Sequence, residues 1–377
     1  MTNDAAVIGA GIVGLAHAYH LARRGLRVLV VERSERAEGA SIRNFGMIWP
    51  IGQPAGPRHR LAVQSRAWWL EVLNRSKLWF DPVGSLHLAY AEEEEAVLRE
   101  FTAPSAEHQH SAEWLDAESA REMAPAVNPA GLRGGIFSGT EICVDPRQVV
   151  RELPEFLARE YGVGFRFSEA AVSVEGRRVV TTRDAYDVDQ VFVCSGDDFE
   201  SLFAPLHRES GLFRCKLQMM RSVPLGGGQR LGPMLAAGLT LVHYGAFAGC
   251  ESLPRLRAYL EGRYGDYLRY GIHVMTSQNG RGEVVIGDSH EYGGAIEPFN
   301  KEEIDALILA YLRGFLDLPG LQIASRWHGC YAKHPTEPYW VARPSPGVTI
   351  ATGLGGAGMT LSFGLADRVV RETLGDS

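Results

Sequence analysis

Cysteine is scarce and badly placed for bridging: Cys143, Cys194, Cys215, Cys250 and Cys330 are the only five in 377 residues, an odd number with no CxxC pair. That excludes a disulfide framework and a zinc knuckle and fits a reducing compartment. Positive charge is in deficit. The 38 Lys and Arg against 45 Asp and Glu leave a net charge of −7, a poor balance for general binding to nucleic acid or an anionic membrane. Any anionic ligand must be met by local cations. Long apolar runs are missing too. The N-terminal Ala/Val/Ile stretch follows no basic segment, offers no cleavage site and is cut by glycines. It reads neither as a signal peptide nor as a membrane span, and a cytoplasmic protein is expected. No internal repeat, low-complexity tract or obvious linker occurs. Hydrophobic residues at 45% and charged residues at 22% are those of an ordinary globular chain, with length for roughly two or three domains' worth of core.

What the chain has in excess is glycine: 43 of 377 residues, against a usual ~7%. The first cluster is Gly9-Ala10-Gly11-Ile12-Val13-Gly14. It follows the apolar strand candidate Ala5–Ile8 and opens a helix signal over Leu15–Arg24. A second apolar strand, Val28–Val31, ends in Glu32. In such a βαβ unit Gly9 permits the tight turn, Gly11 lets backbone approach a pyrophosphate, and Gly14 lets helix and strand pack closely. The helix N-terminus, including the N–H groups of Ile12 and Val13, favours the phosphates. Glu32 accepts from ribose hydroxyls. A second cluster, Gly353 to Gly358, lies between the strand Val348–Ala351 and a helix over Leu361–Leu374, and a third signal ends the strand Gln190–Cys194 in Ser195-Gly196. One ligand touched by both ends of the chain is a long cofactor, which suits FAD better than NAD. Other expected elements are helices over Arg60–Leu73, from Glu92, over Pro146–Tyr161 and over Glu302–Leu316. Strands are expected over Ser85–Tyr90, Cys215–Val223, Tyr270–Thr276 and Glu283–Gly287.

The segments VIGAGIVGLAHAYHLARRGLRVLVVER, GASIRNFGM, VFVCSG and ATGLGGAGMTLSFGLADRVV resemble, in order and spacing and from end to end, the D-amino-acid-oxidase superfamily, which includes glycine oxidase and monomeric sarcosine oxidase. RNFGMIWPIGQ, CKLQMMRS and GIHVMTSQNGRGEVVIGDSHEYG resemble a bacterial branch associated with phosphonate-breakdown genes. The resemblance implies an FAD-dependent amine oxidoreductase. It puts Arg33 beside the adenine, and Val172 or Val174 against it through backbone. Ser41, Arg43 and Asn44 would lie along the pyrophosphate toward the flavin, with Gly46 and Met47 near its reactive edge. Gly355, Gly356, Gly358, Met359 and Thr360 would approach its pyrimidine edge.

The departures from the family bear on substrate. Glycine oxidase clamps the substrate carboxylate with an arginine where this chain has Tyr331, and sarcosine oxidase with a lysine where it has Thr360. A plain α-amino acid loses its partner. Arg43, His273, His290, Tyr331, Lys333 and His334 could meet an anion of another shape, and the three acceptor oxygens of a phosphonate suit several such donors. Arg43, His273, His290, Tyr331 and Thr360 are the candidate catalytic residues. Sarcosine oxidase's oxygen-activating lysine corresponds to Val285 or a neighbour. Cys330 falls near its flavin-attachment cysteine, although a buried, unmodified thiol and non-covalent FAD are the preferred reading. Trp49 and Trp340 are candidate pocket walls. Tyr259, Tyr264, Tyr267 and Tyr270 form a lid, a subunit contact or ordinary packing of an extended loop.

The expectation is an α/β protein: a Rossmann-like FAD-binding domain from residues 1–84, 143–212 and 325–377, and an antiparallel-sheet substrate domain from 85–142 and 213–324. The expected reaction oxidises a small aminophosphonate, 2-aminoethylphosphonate or its N-methyl derivative, to phosphonoacetaldehyde and amine, with O2 as acceptor and H2O2 as product. No metal and no nucleic-acid or membrane partner is expected, and the chain is expected to be a monomer or small homo-oligomer. Two alternatives stay open: an oxidase of a sarcosine- or glycine-like amine, and a flavin-binding subunit without turnover of its own.

Overall fold

The computed structural model describes residues 3–103 and 110–375. Fully apolar four-residue runs, buried on both faces, make parallel strands. Ala5–Ile8 pairs in parallel with Val28–Val31 on one side and Gln190–Val193 on the other. Val28–Val31 continues to Gly164–Arg166, and Gln190–Val193 to Val348–Thr352, which Trp340–Ser345 joins antiparallel to complete six strands. One face is covered by the helices Ile12–Arg23, Pro57–Ser76, Pro146–Tyr161 and Gly358–Leu374, whose apolar stripes share a core with the sheet. The helix Pro146–Tyr161 starts where the Asp145 side chain accepts from the N–H groups of Arg147 and Gln148, and stops at Gly162 in the left-handed conformation. The other face carries a three-stranded antiparallel sheet, Ala171–Glu175, Arg178–Thr181 and Ala185–Asp187, through a small core around Ala6, Val179, Val191 and Ile350.

The second large sheet has nine strands and is antiparallel except where Ser85–Ala89 runs parallel to Met234–Ala236. Its longest strand, Phe213–Pro224, lies near one edge and pairs with Glu283–Gly287 on one side and Ile323–Lys333 on the other. The amphipathic helix Glu302–Phe315 buries Ile304, Ile308, Leu312 and Phe315 against one face. The helices Glu92–Thr102 and Leu253–Arg263 cover much of the other. A short ladder of Met47–Ile48, Ile142–Val144 and Phe80–Asp81 lies among the crossings between the two sheets.

Three expectations are corrected here. The boundary expected at residue 325 falls inside Ile323–Lys333, a strand of the nine-stranded sheet. The strand expected over Tyr270–Thr276 is Met275–Gln278. Residues before it leave the short helix Gly265–Arg269 through Gly271 at a φ of 56°. The tyrosine-rich stretch is not an extended loop but largely helical: Tyr264 and Tyr267 pack edge-on or tilted against Tyr311, and the Tyr270 hydroxyl donates to Glu303. Among the described residues no helix is long and apolar enough to cross a membrane.

Candidate active site

The two sheets face each other across a cavity of about 700 Å³, a size typical of small-molecule and cofactor sites. One stretch of wall comes from the first βαβ unit. Gly9 turns the chain at a φ of 103°, and a Cβ on Gly14 would stand 1.9 Å from the Gly9 carbonyl oxygen. Gly14 therefore sits behind the wall and lets the helix close on the turn. Gly9, Gly11, Ile12 and Val13 line the cavity. Ser41 Oγ accepts from the Ile12 N–H at 2.9 Å and fixes the following loop against the helix N-terminus. The Glu32 carboxylate accepts from Ala10 N–H at 2.9 Å and Ser34 N–H at 3.0 Å, which holds it at the wall with capacity for a ribose hydroxyl. Arg33, Ser195 and Gly196 complete this region. Arg33 is paired with Asp198 at 2.7 Å. Thr352 Oγ1 donates to the Gly196 carbonyl at 2.6 Å, tying this turn to the C-terminal strand.

Gly353, Gly355, Gly356, Gly358 and Met359 also line the cavity. At Gly196 and Gly358 an added Cβ would meet nothing within 4 Å, so these glycines leave backbone open to the cavity. Bare backbone at both ends of the chain, a helix N-terminus and an acid at the ribose position fit FAD.

A third stretch of wall belongs to the nine-stranded sheet. His273 and Asp288 are brought opposite each other by the pairing of Met275–Gln278 with Glu283–Gly287: His273 N–H donates to the Asp288 carbonyl and Asp288 N–H to that of His273, at 3.2 and 2.9 Å. His273 Nε2 lies 3.3 Å from Asp288 Oδ1 and His290 Nε2 3.9 Å from Asp288 Oδ2. His243, at the end of the helix Leu239–His243, closes the group, with its ring centroid 3.8 Å from His273 and 4.5 Å from His290. Its ring is open to the cavity yet surrounded by protein. Burial holds all three imidazoles below their ordinary pKa, His290 at about 4. Burial likewise raises the Asp288 carboxyl and the Tyr331 phenol well above theirs. Tyr331 and Lys333, from Ile323–Lys333, complete this wall.

Several expected residues lie elsewhere or do other work. Gly46 and Met47 do not line the cavity; Phe45 does. A Cβ on Gly46 would stand 2.0 Å from the Val144 carbonyl oxygen, so Gly46 serves the short ladder, and Met47 is core. Thr360 is buried behind Met359, where its Oγ1 accepts from Trp49 N–H at 2.9 Å; that bond, not substrate, explains its hydroxyl. Val172 is exposed and Val174 packs under the three-stranded sheet, while Ala170 and Ala171 form the wall at that point. Trp49 is core beside His87, and Trp340 packs on His207. Asn44 lines the cavity while its side chain braces the loop, donating to the carbonyls of Ala40 and Ser41 and accepting from Gly46 N–H. Arg43 lines the cavity and donates to the His328 carbonyl at 3.2 Å. His334 lines it too, but its Nδ1 accepts from the N–H groups of Thr336 and Glu337 and shapes a turn. Cys330 lines the cavity with its thiol pushed up to about 12, by burial first and then by Asp197; it is a poor thiolate. Val285 lines a separate cavity of about 190 Å³ behind the loop of Arg43, Asn44 and Phe45. His243 and Tyr244 had no signal in the sequence, since they follow no motif and sit on a five-residue helix. Asp288 has no motif of its own in the sequence beyond its place two residues before His290.

A family model described as FAD dependent oxidoreductase (DAO) matches residues 4–372. The chain is 26% identical over 201 residues to glycerol 3-phosphate dehydrogenase of Caloramator mitchellensis, a match covering 51% of this chain and 42% of that one. The chain thus spans less than half the length of this curated relative. Its fold is that of glycine oxidase from Bacillus cereus ATCC 14579, with a TM-score of 0.80, 17% identity and coverage of 100% and 96% of the two chains. L-alpha-glycerophosphate oxidase from Mycoplasma pneumoniae, solved with FAD bound, matches with a TM-score of 0.77 at 18% identity over 99% and 95%.

Proposed function

The chain belongs to the FAD dependent oxidoreductase (DAO) family, and from that premise we propose that it oxidises a carbon–nitrogen bond in a small aminophosphonate, 2-aminoethylphosphonate or its N-methyl derivative. The balanced reaction consumes one O2 and one water and yields phosphonoacetaldehyde, H2O2, and ammonia or methylamine. The observation that supports this reading is the third stretch of wall: Lys333 and three histidines surround Tyr331, the position at which the resemblance puts glycine oxidase's carboxylate-binding arginine. A carboxylate needs one bidentate partner; a phosphonate with three acceptor oxygens uses several separate donors.

Bound FAD supplies a two-electron acceptor for hydride from the carbon beside nitrogen. Glu32, the N-terminus of Ile12–Arg23 and the glycines of both chain ends would hold it. Tyr331, its phenol kept protonated by burial, donates to the anion. Lys333 adds a positive charge, and the enclosing walls fix the position of the reacting carbon.

Anaerobic titration tests the reading. 2-Aminoethylphosphonate or its N-methyl derivative is expected to bleach the flavin band at about 450 nm, with phosphonoacetaldehyde recovered on reoxidation. Bleaching by sarcosine or glycine alone would refute the phosphonate assignment. A second reading draws on the Caloramator relative: oxidation of a small phosphorylated alcohol, whose phosphate suits the same donors. Glycerol 3-phosphate in the same titration separates it, since it bleaches the flavin only if a C–O bond is the target.

A further inference from the structure

We propose that His243, His273 and His290 form a proton-coupled dianion site, binding the doubly charged head of the substrate by taking up protons as it arrives. This rests on the reading of the cavity as a phosphonate-binding site and adds how its charge is balanced.

The charge inventory leads there. The groups facing the three rings are Asp288 beside two of them, Lys333 and Tyr331 from Ile323–Lys333, Tyr244 after the helix Leu239–His243, Tyr292 beside His290, and Cys215 against Tyr331. Burial raises the phenols of Tyr244, Tyr292 and Tyr331 and the Cys215 thiol, which keeps them neutral. Lys333 is the one lysine in the wall, and burial disfavours the charged form of Asp288. An arriving dianion still lacks at least one positive charge, and the imidazoles can supply it. Each ring alone resists protonation because surrounding protein desolvates it, with His243 open only to the cavity, and His243 and His273 further because their neighbours would also be charged. A dianion among the rings reverses both penalties.

The polar atoms are arranged for it. His290 Nδ1 lies 3.0 Å from the Gly271 carbonyl. A carbonyl only accepts, so Nδ1 carries the proton of the neutral ring and Nε2 is free to gain another. His273 Nδ1 is buried with no hydrogen-bond partner, and Asp288 Oδ1 faces His273 Nε2 at 3.3 Å. One nitrogen from each of the three rings lies within 4.8 Å of the other two, which raises the question of a metal. Imidazoles around one ion at bonds of ~2.0 Å keep their ring centres about 5 Å apart in tetrahedral geometry. His243 and His273 are at 3.8 Å, and His273 and His290 are within 18° of parallel. The His243–His273 spacing is shorter than two ligands of one ion keep.

The test uses the FAD-loaded enzyme without a histidine tag and difluoromethylphosphonate, a full dianion at about pH 8 that has no nitrogen to oxidise. Calorimetry in two buffers of different ionisation enthalpy reads protons exchanged. Uptake of one to two protons per ligand is expected, with the dissociation constant rising about tenfold per pH unit for each proton. His243→Gln and His290→Gln, which retain flavin if folded, are each expected to lower the uptake. Binding without proton uptake, uptake unchanged in both variants, or a stoichiometric divalent ion in the purified protein overturns the proposal. Failure to bind also overturns it. In that case flavin bleaching by 2-aminoethylphosphonate shows whether the substrate reading survives.

Discussion

A single buried side chain can carry a measurable pH dependence, and His17 is the clearest case. Its ring is buried in the helix Ile12–Arg23, Nδ1 sits 2.7 Å from the Val13 carbonyl, and Nε2 has no partner. Burial lowers its pKa from 6.5 to about 4, outweighing the Val13 bond, which acts the other way. Between these values the unfolded chain binds more protons than the native one, so stability falls as pH falls through that window and is unaffected above it. From pH 7 to pH 5 this ring accounts for about 2 kcal/mol of loss. Denaturant melts of wild type and His17→Leu at both pH values should show a drop smaller by about that amount in the variant; equal drops would assign the dependence elsewhere. Residues of this kind mark how far the sequence could be read. Gly9, Glu32, Tyr331 and His290 were legible because motif or position named them. His243 was not, because only the folded approach of two sheets puts it on His273. Thr360 was misread because its hydroxyl is used by Trp49 N–H, a bond across 311 positions.

At the scale of elements, local pattern carried most of the assignment. Apolar runs gave the parallel strands, and Asp145 with Gly162 delimited a helix at both ends. Glycines show where pattern stops being enough, since the same residue type does opposite jobs. Gly14 is required by contact: a methyl there meets the Gly9 carbonyl at 1.9 Å, forcing the helix away from the turn. Gly14→Ala should destabilise by about 1–3 kcal/mol and purify with reduced flavin content. Gly262 lies within the helix Leu253–Arg263 with nothing within 4 Å of an added Cβ. Gly262→Ala should therefore raise stability by up to about 1 kcal/mol and leave flavin content unchanged. Absorbance ratios and thermal melts of the two variants check both, and similar behaviour would mean that close packing at Gly14 does not govern the cradle. The short stretch before Met275 was unreadable as non-strand, because its alternating residues satisfy the strand pattern while Gly271 bends the backbone.

The whole molecule is held in one piece by contacts that no local pattern announces. Val191 pairs with Ala6 on one side and with Val348 on the other, so the six-stranded sheet is assembled by re-entry and leaves no linker. The cavity depends on the nine-stranded sheet staying in place against it, and Arg214 is a principal tie. It projects from Phe213–Pro224 and donates through Nε and Nη2 to the Asp197 carbonyl at 3.1 and 2.7 Å, and through Nη2 to Glu200 at 2.6 Å. Its guanidinium also lies 4.6 Å from the centre of the Phe199 ring. The loop it grips follows Gln190–Val193 and supplies Ser195, Gly196, Asp197 and Asp198 to the wall. A carbonyl held by two guanidinium N–H groups fixes that loop's distance from the sheet, and charge-assisted bonds of this kind contribute about 1.5–3 kcal/mol each. Arg214→Ala frees the loop, so FAD must pay for ordering it on binding. The FAD dissociation constant is expected to rise about tenfold or more, measured by flavin fluorescence on dilution, with a lower melting temperature. Arg214→Lys, which can reach the carbonyl through one N–H but cannot fork, should fall between. Unchanged FAD affinity in Arg214→Ala would mean that the first sheet shapes the cofactor wall unaided, and that the second serves the substrate alone.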